Sequence, residues 1–526
     1  MPPSRRLLRG EIELKDALED EANILARLGY VSQQNKFFSD LETKHMQWIR
    51  EVIAHHFNSS PSAVIIAHRK QWLSGSFNVC IPASIPGHSG VIFRIPLPYR
   101  VGEEINPGNA DEKIRCEAGT YAWLEKHCPE IPIPKLYGFG MSTGVTFTRL
   151  ENLPFVSRYI YVFLRWSRSL LGLLTPSGYV RNDFHQMKKG MPGYMIIEFI
   201  KHGCMLSNTW QQGRDNHKLR TNLFHDLARI LLSFTSIPLP QIGSFIICDD
   251  GYLRLANRPL SLGIHELEND NIPVNMPRDL TYSSTHAYAI DLLATHDSRL
   301  YHQPNAINNE ADFILQASIL AIMRMLPPLF LKNNHYGPFF FSLTDLHRSN
   351  IFVDEQWHVT CLVDLEWGCT LPAEMLRVPY WLAGDIIDEI PQEELESVQQ
   401  EFMAILKAEE KKLSRVSDLS AILEEGWSTG SYWYGLALAI PNGLFWLFDE
   451  RICKLITKTW REALHRDLVW FWTPKTLEVL KKKINDRKRY DDCLRREFED
   501  SPSSNPLGSG DSDLPLARSA GMERPP

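Results

Sequence analysis

The residue types able to do chemistry concentrate in one stretch, Ser342 to Gly368, which reads SLTDLHRSNIFVDEQWHVTCLVDLEWG. Asp345 opens it, Asn350 follows five positions later, and Asp364 stands beyond a hairpin-like run that starts at Ile351. An acid on a tight loop, an amide and a second acid closing a strand pair are the parts that phosphoryl transfer requires. One carboxylate orients and deprotonates an attacking hydroxyl, and an amide with a carboxylate holds magnesium against nucleotide phosphates. Oxygen ligands suit that hard cation. His347 reads better as a structural hydrogen-bonding group than as a proton carrier, and Glu366 better as the partner of a nearby cation than as a metal ligand.

Such a loop works only when regular elements hold it. Met46, Ile49, Ile53 and Phe57 recur at helical spacing and predict an amphipathic helix over Phe38 to Phe57. Trp72 to Val79 and Gly90 to Ile95 read as strands with turn signals between them, and Glu112 to His127 reads as a helix ended by Pro129, Pro132 and Pro134. The apolar run Gly193 to Ile200 predicts a further strand, placed as a hinge, after which the pattern turns helical: Leu219 to Phe234, Ala311 to Leu326, Gln392 to Lys412, Ile452 to Leu468 and Leu477 to Phe498. Hairpins are expected over Ile242 to Leu255 and Ile351 to Asp364. The expected organisation is an α+β chain with an N-terminal extension (1–37), a strand-rich unit (38–200) carrying an insertion at about 149–189, a helical unit (201–498) and a disordered tail (499–526) rich in Ser, Pro, Gly and Asp.

Composition narrows the class. With 526 residues, 44% hydrophobic and 23% charged, the chain suits an ordinary globular protein of two or three packed units. A formal net charge of −7 argues against a general nucleic-acid binder, which needs a basic surface to displace counterions. The nine cysteines form no C-x-x-C pair and are read as reduced thiols, most of them small buried hydrophobes. Arg165 and Arg168 interrupt the most apolar segment, Tyr159 to Leu174, so no stable membrane insertion is expected. Arg5, Arg6 and Arg9 faintly suggest a transit peptide, but Glu11, Glu13, Asp16, Glu19, Asp20 and Glu21 follow at once, and the cytoplasm is the default expectation.

The D-L-H-x-x-N-I-F-V-D run and the V-D-L-E-W run, at their mutual spacing, resemble the aminoglycoside phosphotransferase and choline kinase-like superfamily, particularly its fungal phosphotransferase-domain branch, from about Trp72 to Asp388. The resemblance implies a bilobal protein-kinase-like fold, with a small strand-rich N-terminal lobe and a larger helical C-terminal lobe. It implies ATP and Mg2+ as cofactors and a hydroxyl on a small molecule as acceptor. Carried across, Asp345 is the catalytic base, Asn350 a metal ligand and Asp364 the main magnesium ligand. Leu343 and Thr344 depart from the family's His-Gly, which puts the loop geometry in question more than the chemistry.

In the strand-rich unit, Arg94 of Val91-Ile92-Phe93-Arg94-Ile95-Pro96 takes the place of the kinase lysine that touches nucleotide phosphates, with an ordinary exposed strand arginine as the alternative. The exchange is not neutral, since Arg binds phosphate through a fork and Lys as a point charge. Glu117 matches the helix glutamate that steadies that cation, and an ion pair between the two is expected. Gly75 matches the turn over the phosphates, where a glycine lets backbone N–H groups come close. Glu198 and Ile200 match the hinge whose backbone meets adenine, although a plain buried strand would read alike.

Ile242 to Phe245, Asn257 to Leu260 and Pro379 to Trp381 also resemble the fungal branch. Asp385, Asp388 and Glu389 are expected on a helix, either solvated or facing a cationic acceptor. The insertion is expected to form a helix packed on its own protein, with a cap over the acceptor or contact with another surface as alternatives, and the basic run Lys481 to Arg489 to form a solvated helix face. The competing functional reading is a pseudokinase that binds nucleotide in a regulatory or scaffold role. A protein kinase ranks third, because no activation-loop pattern follows Asp364.

Overall fold

Every side chain of the Val91–Pro96 strand is buried, as happens to a strand enclosed on both faces and both edges. In the computed structural model, which describes residues 4–88, 90–183, 192–413, 418–457 and 463–499, this strand lies inside an eight-stranded antiparallel sheet. The order is Ile65–Ile66, Asn78–Ser84, Val91–Pro96, Tyr194–Glu198, Leu136–Gly140, Val145–Arg149 and Tyr179–Asp183, with Leu73–Ser74 pairing Asn78–Ser84 off that path. Period-two alternation sends Phe93 and Ile95 to one side, where Trp48, Ile49 and Ile53 of the Met46–His56 helix meet them. Arg94 points to the other side, toward the Asn109–His127 helix, whose Glu117 it contacts.

Leaving the sheet after Glu198, the chain forms the short strand Cys204–Met205, which pairs with Ile351–Val353 and through it with Val359–Leu362. A separate pair joins Phe339–Leu343 to Gly368–Pro372. The segments 344–350 and 363–367 are therefore neighbouring connections between the same two strand pairs. The helices His217–Thr235, Thr285–His302, Glu310–Met323 and Gln392–Glu410 supply most of the remaining mass, around cores that include Leu293, Phe313, Leu320 and Tyr434 in one case and Trp123, Phe224, Phe341 and Phe402 in another. Helix and sheet are thus mixed, with most of the sheet early in the chain and most of the helix late.

Several expectations change. Helix starts at Tyr30, so the boundary placed between residues 37 and 38 falls inside the Tyr30–Asp40 helix. Ile12, Ala17 and Ile24 pack on Tyr490, Leu494 and Phe498 of the last helix, Thr476–Glu499, and the Ile24 N–H donates to Tyr490 Oη at 3.0 Å. The N-terminal residues are tied to the C-terminal helix rather than extended from the body. The helix expected over Ile452 to Leu468 stops at the β-branched Thr457, whose backbone is extended at φ −152° and ψ 140°. Within the run expected to be solvated, Lys483 is fully buried against the Gln303 carbonyl, because it lies four residues after Val479 on the apolar face of its helix. Residues 385–389 form bends and turns, not a helix.

The insertion does form a helix, Phe155–Leu170, but none of its residues is fully buried, and it rests on the protein through partly covered residues such as Tyr161 and Arg168 while its large apolar side chains are exposed. The tail call, 499–526, lies outside the described residues beyond Glu499. Among the described residues, no helix is long and apolar enough to cross a membrane.

A buried ionic cluster fixes the Asn109–His127 helix in place. Arg258, 2% exposed, donates from Nη2 to Glu112 Oε2 at 2.8 Å and from Nη1 to Glu268 Oε1 at 2.8 Å. The Asn257-to-Leu260 segment singled out by resemblance is thereby given a structural task. Replacing Arg258 with Ala leaves two buried carboxylates short of their main partner and should cost about 3–5 kcal/mol of unfolding free energy in urea titrations. The exposed pair Arg254–Asp250 is the control, and Arg254→Ala should cost less than about 1 kcal/mol. Equal costs at the two sites would show that burial of the Arg258 cluster contributes nothing.

Candidate functional site

The connection after Phe339–Leu343 is held at both ends. Leu343 pairs with Gly368, and the Thr344 N–H and Oγ1–H both donate to the Trp367 carbonyl, at 3.2 and 2.8 Å. Thr344 has no positive φ, so this turn does not need the glycine that the family pattern places there. His347 caps the short helical turn Arg348–Asn350, its Nδ1 accepting from the Ser349 N–H at 3.2 Å. Its Nε2 lies 3.6 Å from Asp345 Oδ1. Burial, with Arg348 beside it, pushes the His347 imidazole down to about 4, so at neutral pH it is an uncharged structural group.

Asn350 clamps the acid. Its Nδ2 donates to the Asp345 carbonyl at 2.8 Å and to Asp345 Oδ2 at 3.3 Å. Burial raises the Asp345 carboxyl well above its usual range, and the negative charges of Glu366 and Asp364 raise it further. A carboxylate shifted this way is better matched to taking a proton near neutrality than an ordinary aspartate is. Asn350 and Asp364 are brought together by a backbone bond from the Val363 N–H to the Asn350 carbonyl at 2.9 Å. Asp364 adopts φ +55°, a left-handed conformation that Asp tolerates better than most residues, and its side chain is 47% exposed.

Behind Asp364 lies a buried charge network. Arg94, 2% exposed, is not the exposed strand arginine of the alternative reading. Its Nη1 donates to Glu117 Oε1 at 2.5 Å, and its Nη2 reaches Glu366 Oε2 at 2.5 Å and Asp364 Oδ1 at 2.7 Å. Lys113, also buried, donates to Glu366 Oε2 at 2.5 Å and to Asn78 Oδ1 at 2.7 Å. Burial alone would raise the Glu366 carboxyl, but Lys113 and Arg94 outweigh it and hold the group down to about 2. Burial pushes Glu117 up to about 7 against the pull of Arg94. Lys113 was missed in the sequence. The available signal was a lysine four residues before Glu117, on the same side of a helix.

The remaining nucleotide-site expectations fare unevenly. Gly75 has no positive φ, and a Cβ there would meet nothing closer than the Asn78 carbonyl at 3.6 Å. Its N–H already donates to that carbonyl at 2.9 Å, so it has none to offer a phosphate in this turn. Glu198 ends the Tyr194–Glu198 strand with its N–H committed to the Lys135 carbonyl at 2.9 Å. Ile200 lies beyond the strand, partly buried, and among the described residues its N–H has no backbone partner.

A cavity of about 320 Å³ opens beside Asp345. Its wall is largely aliphatic and aromatic, including Tyr288, Tyr380 and Trp381, with Arg348 and Arg377 as its cations. Arg348 is ion-paired with Asp385, which is where that acidic position is used. Sequence reasoning also passed over Arg377, whose location depends on how the chain returns past the Asp345 loop.

No family model matches this chain, and no curated protein is similar to it. Among solved structures it is similar to the ethanolamine kinase Pv091845 of Plasmodium vivax, at 12% identity and TM-score 0.38, over 90% of this chain and 99% of that one. It is similar also to a macrolide 2'-phosphotransferase type I, at 11% identity and TM-score 0.29, over 81% of this chain and 97% of that one. Likenesses this loose establish neither the fold nor the activity of the chain.

The network has a pH signature. Glu366 titrates lower in the folded chain than its ordinary 4.5, so its stabilising contribution is present above pH 4.5 and is lost as pH falls toward about 2. Glu366→Gln should cost about 3–5 kcal/mol at neutral pH. The gap between wild type and variant in urea titrations should narrow as pH is lowered through that window. A gap independent of pH would mean that the charge of Glu366 does not matter.

Proposed function

We propose that this chain is an ATP- and magnesium-dependent phosphotransferase acting on a hydroxyl of a small-molecule acceptor, with two lobes meeting at the Asp345 cleft in the manner of a protein kinase. The observation that carries the reading is the meeting of Asp345, Asn350 and Asp364 on two hydrogen-bonded connections, with a cavity beside Asp345. An acceptor hydroxyl seated there donates its proton to the Asp345 carboxylate as the oxygen becomes nucleophilic. The Asn350 amide holds that carboxylate in one orientation, and the largely apolar cavity wall limits water as a competing acceptor.

The donor set fits magnesium. Asn350 spends its Nδ2 on Asp345, and among the described residues its Oδ1 receives no hydrogen bond; the half-exposed Asp364 carboxylate, which meets Arg94 through Oδ1, supplies the second oxygen. These two oxygens would hold the ion, which when bound neutralises nucleotide phosphate charge. Arg94 would lie nearest the phosphates, with Glu117 orienting it, and the Ile200 N–H would be available to an adenine edge.

One observation favours the second reading, a nucleotide-binding pseudokinase. Arg94 is engaged by three carboxylates and must loosen its hold on Asp364 to contact a phosphate.

Asp345→Asn separates the two readings. It keeps size and polarity while removing the base, so phosphate transfer from ATP, screened by mass gain on hydroxylated metabolites, should fall by about 100-fold to 10,000-fold. ATP affinity measured by calorimetry should change by less than about tenfold. Asp364→Asn should lower both, because it strips a ligand from the ion that holds the phosphates. Full transfer by Asp345→Asn would remove this loop from catalysis. A wild type that binds ATP with magnesium and transfers to no acceptor would leave the pseudokinase.

A further inference from the structure

The Phe155–Leu170 helix turns its apolar side to solvent. At 3.6 residues per turn, Phe155, Tyr159, Val162, Phe163, Trp166 and Leu170 fall on one arc, and each is exposed, Phe155 by 73%, Phe163 by 66% and Trp166 by 57%. The positions turned toward the body are polar or amphipathic. Arg168 donates from Nε to the Leu174 carbonyl at 2.7 Å and stands 5.6 Å over the Tyr252 ring, and Tyr161 and Arg165 are likewise partly covered. A helix that stabilises its own domain packs the opposite way, apolar stripe inward. The apolar exposure continues beyond the helix through Leu171 and Leu174.

Charge specifies what covers this face. Residues 152–182 contain Arg158, Arg165, Arg168 and Arg181 and no Asp, Glu or Lys. Three nearby acidic groups are already paired: Glu151 with Arg149, Asp249 with Arg115 and Asp250 with Arg254. Arg158 lies at the margin of the apolar arc. Aromatic side chains on the outer arc and guanidinium groups beside it match the layering of an anionic bilayer, in which rings enter the acyl boundary and cations meet the headgroups. At 1.5 Å per residue the helix is about 24 Å long, shorter than the hydrocarbon core, so it lies along the surface rather than crossing it.

We propose that the Phe155–Leu170 helix is an interfacial anchor that seats this protein on anionic phospholipid membranes. The proposal is independent of the phosphotransferase reading, since the cavity beside Asp345 is lined by no residue of this helix.

The test is co-sedimentation of the full-length protein with vesicles of phosphatidylcholine alone and of phosphatidylcholine with about one-third phosphatidylserine. The wild type should bind the anionic vesicles and lose binding as salt shortens electrostatic range. The double variant Phe163→Asp, Trp166→Asp should bind at least about a hundredfold more weakly, from two aromatic side chains withheld from the apolar phase. Arg158→Gln should lower binding about fivefold on the anionic vesicles only. All these side chains are exposed, so an unchanged thermal midpoint checks that folding is intact. Wild type that binds neither vesicle, or a double variant that binds as well as wild type, would overturn the proposal. So would a wild-type dimer seen by light scattering that the double variant dissolves in the absence of vesicle binding, since the face would then belong to a second copy of the chain.

Discussion

The Arg94 guanidinium sits in the middle of a sheet with almost no access to water, and the surrounding arrangement answers to that fact. A buried cation persists only where carboxylates and further hydrogen bonds replace its hydration. Glu117 comes from a helix packed on the sheet, and Asp364 and Glu366 from a connection more than 250 residues away in the chain, as the separation of 272 between Arg94 and Glu366 requires. Pairing one strand residue therefore brings a helix and a connection far along the chain to one place. Lys113 balances part of the excess negative charge and binds Asn78 at the start of the neighbouring strand.

The same logic recurs one step back from the cleft. Arg258 ties Glu112, on the helix that bears Lys113 and Glu117, to Glu268, so the helix that supplies these two groups to the first network is anchored by a second one. Gly119 shows how closely that helix approaches its neighbour, since a Cβ there would lie 2.0 Å from the Phe245 carbonyl oxygen. Positions that must be accurate are thus fixed by close backbone packing and by buried charge, both of which tolerate little displacement.

On the opposite side of the Asn350–Asp364 pair the constraints are hydrogen bonds between backbone segments. Thr344 to Trp367 and Val363 to Asn350 lash the two connections together, and Asp364 takes a left-handed backbone within that frame. Residues held in sparsely populated backbone regions persist where their surroundings over-determine them. The insertion follows another rule. Its helix joins two paired strands, Val145–Arg149 and Tyr179–Asp183, and makes no demand on the core.

What the sequence determined by itself is local. The spacing of Asp345, Asn350 and Asp364 was legible because the intervening residues alternate and turn as a hairpin does. Helices such as His217–Thr235 and Glu310–Met323 were legible because burial of one face imposes a period on neighbouring residues. Tertiary structure decided which charges meet. Nothing near Glu366 in the chain announces Lys113 as its partner, and although Lys483 follows Val479 by four residues, the Gln303 carbonyl that receives it comes from 180 residues away. The sequence likewise led to the expectation of a helix in the insertion, but a helical period reports that two faces differ and not which one turns inward. In the folded chain Arg168 stands over the Tyr252 ring and the apolar face is left outward.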